Sequence, residues 1–154
     1  MARIDFAFGA PDRLRTACAA TRKRYLAGER VLAYCSDPQR LTAFDRMLWA
    51  FDPTSFIPHV GVDDPLAAVT PVVLSSTSPA SWLQTRGAGD AAPWVLNLDD
   101  GCVPDAGQFS RIMEIVSDDE ADKHLARQRW RAYAAAGHDV RSHALKRPTS
   151  QDPA

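Results

Sequence analysis

Three kinds of pattern are missing from this chain of 154 residues, and each absence excludes a class of protein. The three cysteines are widely spaced and form no C-x-x-C pair, which argues against a zinc knuckle or a disulfide framework and favours reduced thiols. No apolar run reaches the length of a membrane-spanning helix, and the first residues lack the apolar segment of a secretory signal. We therefore expect a cytoplasmic protein that does not contact a membrane.

An excess of charge of one sign is also missing, because the formal net charge is only −1. The chain therefore has no overall field that would attract nucleic acid or an acidic membrane. Any electrostatic recognition must come from a local patch of charged residues.

The motifs of phosphate binding and of nucleophilic catalysis are absent as well. No G-x-G-x-x-G follows the first predicted strand, and neither G-x-x-x-x-G-K-[ST] nor G-x-S-x-G occurs. Asp99 and Asp100 follow the apolar run "WVLNL" as the acids of a Walker B element do, but without a phosphate loop they are better explained as the end of a strand. The histidines lack metal-ligand spacing. We predict no catalytic residue, metal or cofactor, and keep as the alternative a nucleotide-binding or hydrolytic domain that uses Asp99 and Asp100, with His59.

The first fifty residues alternate between strand and helix. A strand is predicted from Arg3 to Phe8, then a helix that ends at Gly28. A second strand follows in "RVLAYCSD", which has a near-continuous apolar run, and then a helix capped by Asp37 with Pro38 at its first position. This order predicts a parallel sheet with right-handed crossovers. We expect one α/β domain, a three-layer α/β/α sandwich with a mostly parallel sheet that resembles nucleotide-binding domains. It should cover residues 1–140, because periodicity is lost after Gly137, and residues 141–154 should form a polar, disordered tail.

The last predicted helix, "DEADKHLARQRWRAYAAAG", has two different faces. At about 100° per residue, one face carries the residues predicted to be buried, namely Ala121, Leu125, Ala132 and Ala136. The opposite face carries Trp130 together with three cations, Lys123, Arg127 and Arg131. This arrangement indicates a binding site in which the cations attract an acidic ligand and the Trp130 ring forms an apolar wall. A solvated charged face, with Trp130 folded against a neighbouring loop, explains the pattern equally well.

A second group of aromatic residues lies in "MLWAFDPTSFIPH". Trp49 falls at the edge of the apolar stripe of its helix, and the loop that follows contains Pro53 and Phe56. Aromatic residues are unusual in a loop, and exposed aromatic clusters mark protein interfaces. The cluster is therefore either a partner surface or a loop that covers the edge of the sheet.

Four stretches together resemble one known family. They are "GERVLAYCSD", "FDRMLWAFDPTSFIPH", "VLNLDDGCVPD" and "LARQRWRAYAAAGHDV". In combination, from about Arg3 to Val140, they resemble the chi subunit of bacterial DNA polymerase III, an accessory protein of the clamp loader.

The resemblance implies a non-catalytic adaptor with two protein partners. One partner is the acidic C-terminal tail of single-stranded DNA-binding protein, and the family's tail-binding positions fall on Val116, Lys123, Arg127, Trp130 and Arg131. Trp130 stands where tyrosine is commoner in the family, and Arg131 where lysine occurs. The other partner is the psi subunit of the clamp loader, and its contacts fall on Trp49, Pro53 and Phe56. Direct binding of single-stranded DNA would use the same residues as tail binding, but the short basic stripe favours a peptide.

Overall fold

The computed structural model of the chain describes residues 1–51, 56–83 and 92–145. Seven strands occur in these ranges: β1 (Arg3–Ala10), β2 (Val31–Tyr34), β3 (His59–Gly61), β4 (Val72–Ser75), β5 (Trp94–Asn97), β6 (Arg111–Ser117) and β7 (Asp139–Ala144). The same ranges contain four α-helices: α1 (Arg13–Leu26), α2 (Pro38–Ala50), α3 (Ala80–Leu83) and α4 (Glu120–Ala135). Within the described residues, no helix has both the length and the apolar character that a membrane span requires.

All seven strands belong to one sheet, in the order β3-β4-β2-β5-β6-β1-β7, and every neighbouring pair is parallel. The central strands β2, β4 and β5 are buried along their whole length, as strands covered on both faces must be. Helices α1 and α2 pack on one face of the sheet, and α4 packs on the other. The predicted three-layer α/β/α fold is confirmed, and the sheet is parallel throughout.

Capping residues set the helix boundaries, and those at Asp37, Pro38 and Gly28 are predicted from the sequence. The Asp37 carboxylate accepts a hydrogen bond from the Gln39 backbone N–H at 3.0 Å, and Pro38 occupies the first helical position of α2. Gly28 follows α1 with φ +77°, and Gly137 follows α4 with φ +88°. Glycine adopts this left-handed conformation without strain, so both helices end where a glycine is available.

The buried face of α4 differs from the predicted one. The sequence predicts burial of Leu125 and three alanines, but Ala121, Ala132 and Ala136 are exposed and Leu125 is only half-buried. The buried residues are instead Ala126, Arg129 and Tyr133. A helical wheel assigns an arginine to the solvent-exposed face, whereas Arg129 lies at the centre of the contact between α4 and the sheet.

Arg129 is buried because β6 places a carboxylate beneath it. Glu114 is fully buried, and its Oε1 lies 3.0 Å from Nε of Arg129. Its other oxygen accepts hydrogen bonds from Tyr133 Oη at 2.8 Å and from Asn97 Nδ2 at 2.7 Å. Burial raises the pKa of the Glu114 carboxyl, whereas Arg129 acts in the opposite direction by favouring the ionised form. The pair joins α4 to the sheet through a network of charge-assisted hydrogen bonds.

The expected loss of structure after Gly137 is wrong for the residues that follow it directly. Residues 139–144 form β7, which pairs in parallel with β1 from Arg3↔Asp139 to Phe8↔Ala144. Most side chains of β7 are exposed, so the strand has no apolar periodicity for sequence analysis to detect. The rest of the predicted tail, residues 146–154, lies outside the described ranges.

Replacing Arg129 by methionine should lower the free energy of unfolding by about 3–5 kcal/mol, because the buried Glu114 carboxylate would keep only the more distant Arg13, at 4.0 Å, as its cation. Adding Glu114→Gln to that variant should recover about 1–2 kcal/mol, since a neutral amide still accepts the hydrogen bonds of Asn97 and Tyr133. Urea unfolding followed by circular dichroism measures both values. Equal stability of the single and the double variant would contradict the role assigned to the buried charge.

Candidate functional site

A groove of about 690 Å³ lies between α4 and the carboxyl ends of β1 and β6. All five residues that the sequence assigns to tail binding line it, namely Val116, Lys123, Arg127, Trp130 and Arg131. Val116 comes from β6, and the other four come from α4. The fold therefore brings residues that are scattered over sixteen positions of the sequence into one concave surface.

Two phenylalanines that the sequence analysis missed complete the apolar wall. Phe6 and Phe8 of β1 both line the groove, and the Phe6 ring lies 5.1 Å from the Trp130 ring at an angle of 47°. Phe6 stands opposite Glu114 in the β1–β6 register, on the same face of the sheet. The sequence "DFAFG" could have indicated this role, because residues two positions apart in a strand lie on the same face, as Phe6 and Phe8 do.

Trp130 is neither a solvent-side ring nor a ring folded against a loop. It is half-buried at the edge of the buried face of α4, and it packs on strand β1 through Phe6. The expectation that it stands in solvent is wrong, because the buried face of α4 is rotated toward Arg129 and Tyr133. Trp130 can thus serve as a fixed wall of the groove, held by the core behind it.

The rim of the groove carries an excess of positive charge. Arg127 and Arg131 are exposed and have no ion-pair partner in the described part of the chain. Lys123 lies 3.4 Å from the exposed carboxylate of Glu120, a contact of little energetic weight. Asp118 is the only carboxylate among the described residues that line the groove. Three cations around an apolar wall suit a ligand that is both acidic and apolar.

The second predicted surface is also exposed. The side chains of Trp49 and Phe56 are 52% and 63% accessible to solvent, and their ring centroids are 4.9 Å apart. Trp49 also packs against the buried His59 ring, with centroids 4.5 Å apart and the planes tilted by 52°, and this contact fixes its position. Pro53, the third predicted contact, lies outside the described residues. We call the pair formed by Trp49 and Phe56 the aromatic patch.

Comparison with known proteins identifies the family. A family model described as "DNA polymerase III chi subunit, HolC" matches residues 1–141. The chain belongs to the DNA polymerase III chi subunit family. As a member of that family, it is an accessory subunit of the replicative polymerase.

Three curated relatives of this chi-family chain are each named DNA polymerase III subunit chi. The protein of Pseudomonas aeruginosa is 30% identical over 155 residues, which cover 96% of this chain and 99% of the relative. That of Escherichia coli strain K12 is 27% identical over 84% of this chain and 83% of the relative. That of Haemophilus influenzae is 26% identical, with 79% of each chain covered.

The alternative catalytic residues are not brought together in the chi-family fold. His59 begins β3, three strands away from β5, whereas Asp99 and Asp100 follow the opposite end of β5. Oδ1 of Asp99 accepts hydrogen bonds from the backbone N–H of Ser36 at 3.1 Å and from its hydroxyl at 2.7 Å. The hydrogen bond from Arg40, at 2.9 Å, lowers the pKa of Asp100. In the described ranges, no three His, Cys, Asp or Glu side chains are grouped as metal ligands.

We predict that Asp99 and Asp100 do not form a magnesium site, since one carboxylate is hydrogen-bonded to Ser36 and the other is paired with a cation. Titration with MgCl2, followed by NMR of the backbone amides, should leave the signals of both residues unshifted. A saturable shift that disappears in the Asp100→Asn variant would contradict this and restore the hydrolytic alternative.

Proposed function

We propose that the chain is a non-catalytic adaptor that links single-stranded DNA-binding protein to the clamp loader. The α4 groove binds the acidic C-terminal tail of single-stranded DNA-binding protein, and the aromatic patch binds the psi subunit. The observation that carries the proposal is the placement of three cations around one apolar wall in a single groove.

The groove offers separate contacts for the two chemical parts of an acidic tail that ends in an apolar residue. Arg127, exposed and without an ion-pair partner in the described residues, can take the terminal carboxylate in a bidentate pair. Trp130, Phe6 and Val116 enclose the last apolar side chain. Lys123 and Arg131 attract the aspartates that precede it, through contacts that salt screens. Such a small, partly exposed site should bind with roughly micromolar affinity, or about 8 kcal/mol.

A peptide fits this groove better than a single strand of DNA does. Binding to a polynucleotide needs a track of cations that follows many phosphates, with aromatic rings for successive bases. Here the cations span about two turns of one helix, and the inner side of Trp130 is covered by Phe6. The net charge of −1 adds no wider attraction for DNA.

The aromatic patch has the properties of an anchor for a second protein. A tryptophan and a phenylalanine in contact, each more than half exposed, form an apolar surface without any evident role in the core. Tryptophan is among the residues that contribute most to binding when a partner buries them. The patch lies beside β3, at the far edge of the sheet from the α4 groove, so the two partners do not compete for space.

Replacing Arg127 by alanine should weaken binding of an acidic tail peptide by about 1.5–3 kcal/mol, because a charge-assisted contact to the terminal carboxylate is lost. The fold should be unaffected, since Arg127 is exposed on α4. Isothermal titration calorimetry with the tail peptide of the same organism measures the change.

Arg15→Ala is the matched control for this variant, because Arg15 is an exposed arginine on α1, on the opposite face of the sheet. It removes the same charge and should leave the affinity within about twofold, because Arg15 does not line the groove and an exposed charge is screened by salt. An equal loss of affinity in both variants would mean that net charge alone explains the effect. It would contradict the proposed contact between Arg127 and the terminal carboxylate. Tighter binding of single-stranded DNA than of the peptide would favour the nucleic-acid alternative.

The double variant Trp49→Ala, Phe56→Ala should melt within a few degrees of the wild type, because both side chains are largely exposed and leave no core cavity. It should bind the acidic tail normally and fail to join the clamp loader. A thermal melt and the two binding assays test this together. Loss of tail binding with clamp-loader binding intact would mean that the two surfaces are assigned the wrong way round.

A further inference from the structure

A second groove adjoins the aromatic patch. It is a groove of about 490 Å³ between α2 and the edge strand β3, and Trp49 forms part of its wall. Leu41, Val60 and Val62 add apolar surface to it. Because β3 is the outermost strand on this side, one of its edges pairs with no other strand of the described chain.

The charged residues that line this groove are aspartates. Asp45, Asp63 and Asp64 all line it, whereas no lysine or arginine does so among the described residues. Asp45 lies 2.6 Å from the Nε2 atom of the buried His59. Asp63 and Asp64 are exposed, and neither has an ion-pair partner within residues 1–51, 56–83 and 92–145.

We propose that this aspartate groove selects a partner segment in which lysine or arginine stands next to an apolar anchor. The apolar anchor packs on Trp49, and the basic side chains reach Asp63 and Asp64 at the rim. Opposite charges across an interface speed association and fix the register of the partner. The inference rests on the proposed function, because it supplies the chemistry of the partner that the aromatic patch receives.

The sign of the charge also separates the two partners of the protein. The α4 groove presents three cations and the aspartate groove presents three carboxylates. An acidic tail is therefore attracted to the first groove and repelled from the second, although both have an exposed or half-exposed tryptophan. Repulsion of the wrong ligand is a common source of specificity when the apolar contacts are alike.

The test compares two double variants in binding to the purified clamp-loader complex of the same bacterium, including its psi subunit where it has one. Asp63→Asn, Asp64→Asn removes the rim charge, and asparagine still accepts the hydrogen bond that Asp64 receives from the Leu66 N–H. The control, Asp105→Asn, Asp139→Asn, removes two carboxylates outside the groove, of which Asp105 is exposed and Asp139 is half-buried. Surface plasmon resonance at about 50 and 300 mM salt gives both the affinity and its dependence on ionic strength.

We expect the groove variant to bind about tenfold more weakly at low salt and the control to stay within about twofold of the wild type. The wild type and the control should lose affinity as salt rises, and the groove variant should lose much less. Wild-type affinity of the groove variant at both salt concentrations, while Trp49→Ala abolishes binding, would overturn this inference alone. Unchanged binding of Trp49→Ala would overturn the proposed function and this inference with it.

Discussion

The buried ion pair between Glu114 and Arg129 decides how α4 lies on the sheet. Because a buried carboxylate needs its cation, the helix must turn Arg129 inward, together with Ala126 and Tyr133. Lys123, Arg127 and Arg131, which lie outside this buried face of α4, then form the rim of the groove. Trp130, next to the paired arginine, is left at the boundary, where it packs on Phe6. The geometry of the candidate tail site is thus a consequence of one interaction in the core.

The parallel sheet separates the two surfaces proposed for protein partners. The α4 groove lies over β1 and β6, and the aromatic patch lies beside β3, which is five strands from β1. At about 4.8 Å between neighbouring strands, this is a distance of roughly 24 Å. A rigid sheet of this width would keep one partner from touching the site of the other, which suits an adaptor. The opposite charges of the grooves add a chemical separation to the spatial one.

Next to β5, the edge of the sheet where nucleotide-binding folds place their ligands is filled by the protein's own side chains. In such folds the ligand lies beyond the carboxyl ends of the strands. Here Arg13 donates to the carbonyl oxygen of Asp99 at 2.9 Å, and Arg40 donates to that of Leu98 at 2.9 Å. Burial lowers the pKa of Arg13, while the carboxylates of Glu114 and Asp122 act in the opposite direction. These arginines stabilise the chain that follows β5, so the open part of this edge is the α4 groove beside β1 and β6.

The sequence by itself determined the alternation of strands and helices, the caps at Asp37 and Gly28, and which residues of α4 carry the positive charge at the rim of the groove. These features depend on residues close together in the chain, whose spacing already fixes which of them share a turn. Only the tertiary structure decided the buried face of α4, the contribution of Phe6 and the pairing of β7 with β1. Each of these depends on contacts between distant positions: Glu114 lies fifteen residues from Arg129, and β1 lies at the other end of the chain from β7. A helical wheel measures only the polarity of its own residues, so it could not show that a buried carboxylate on a neighbouring strand would draw an arginine inward.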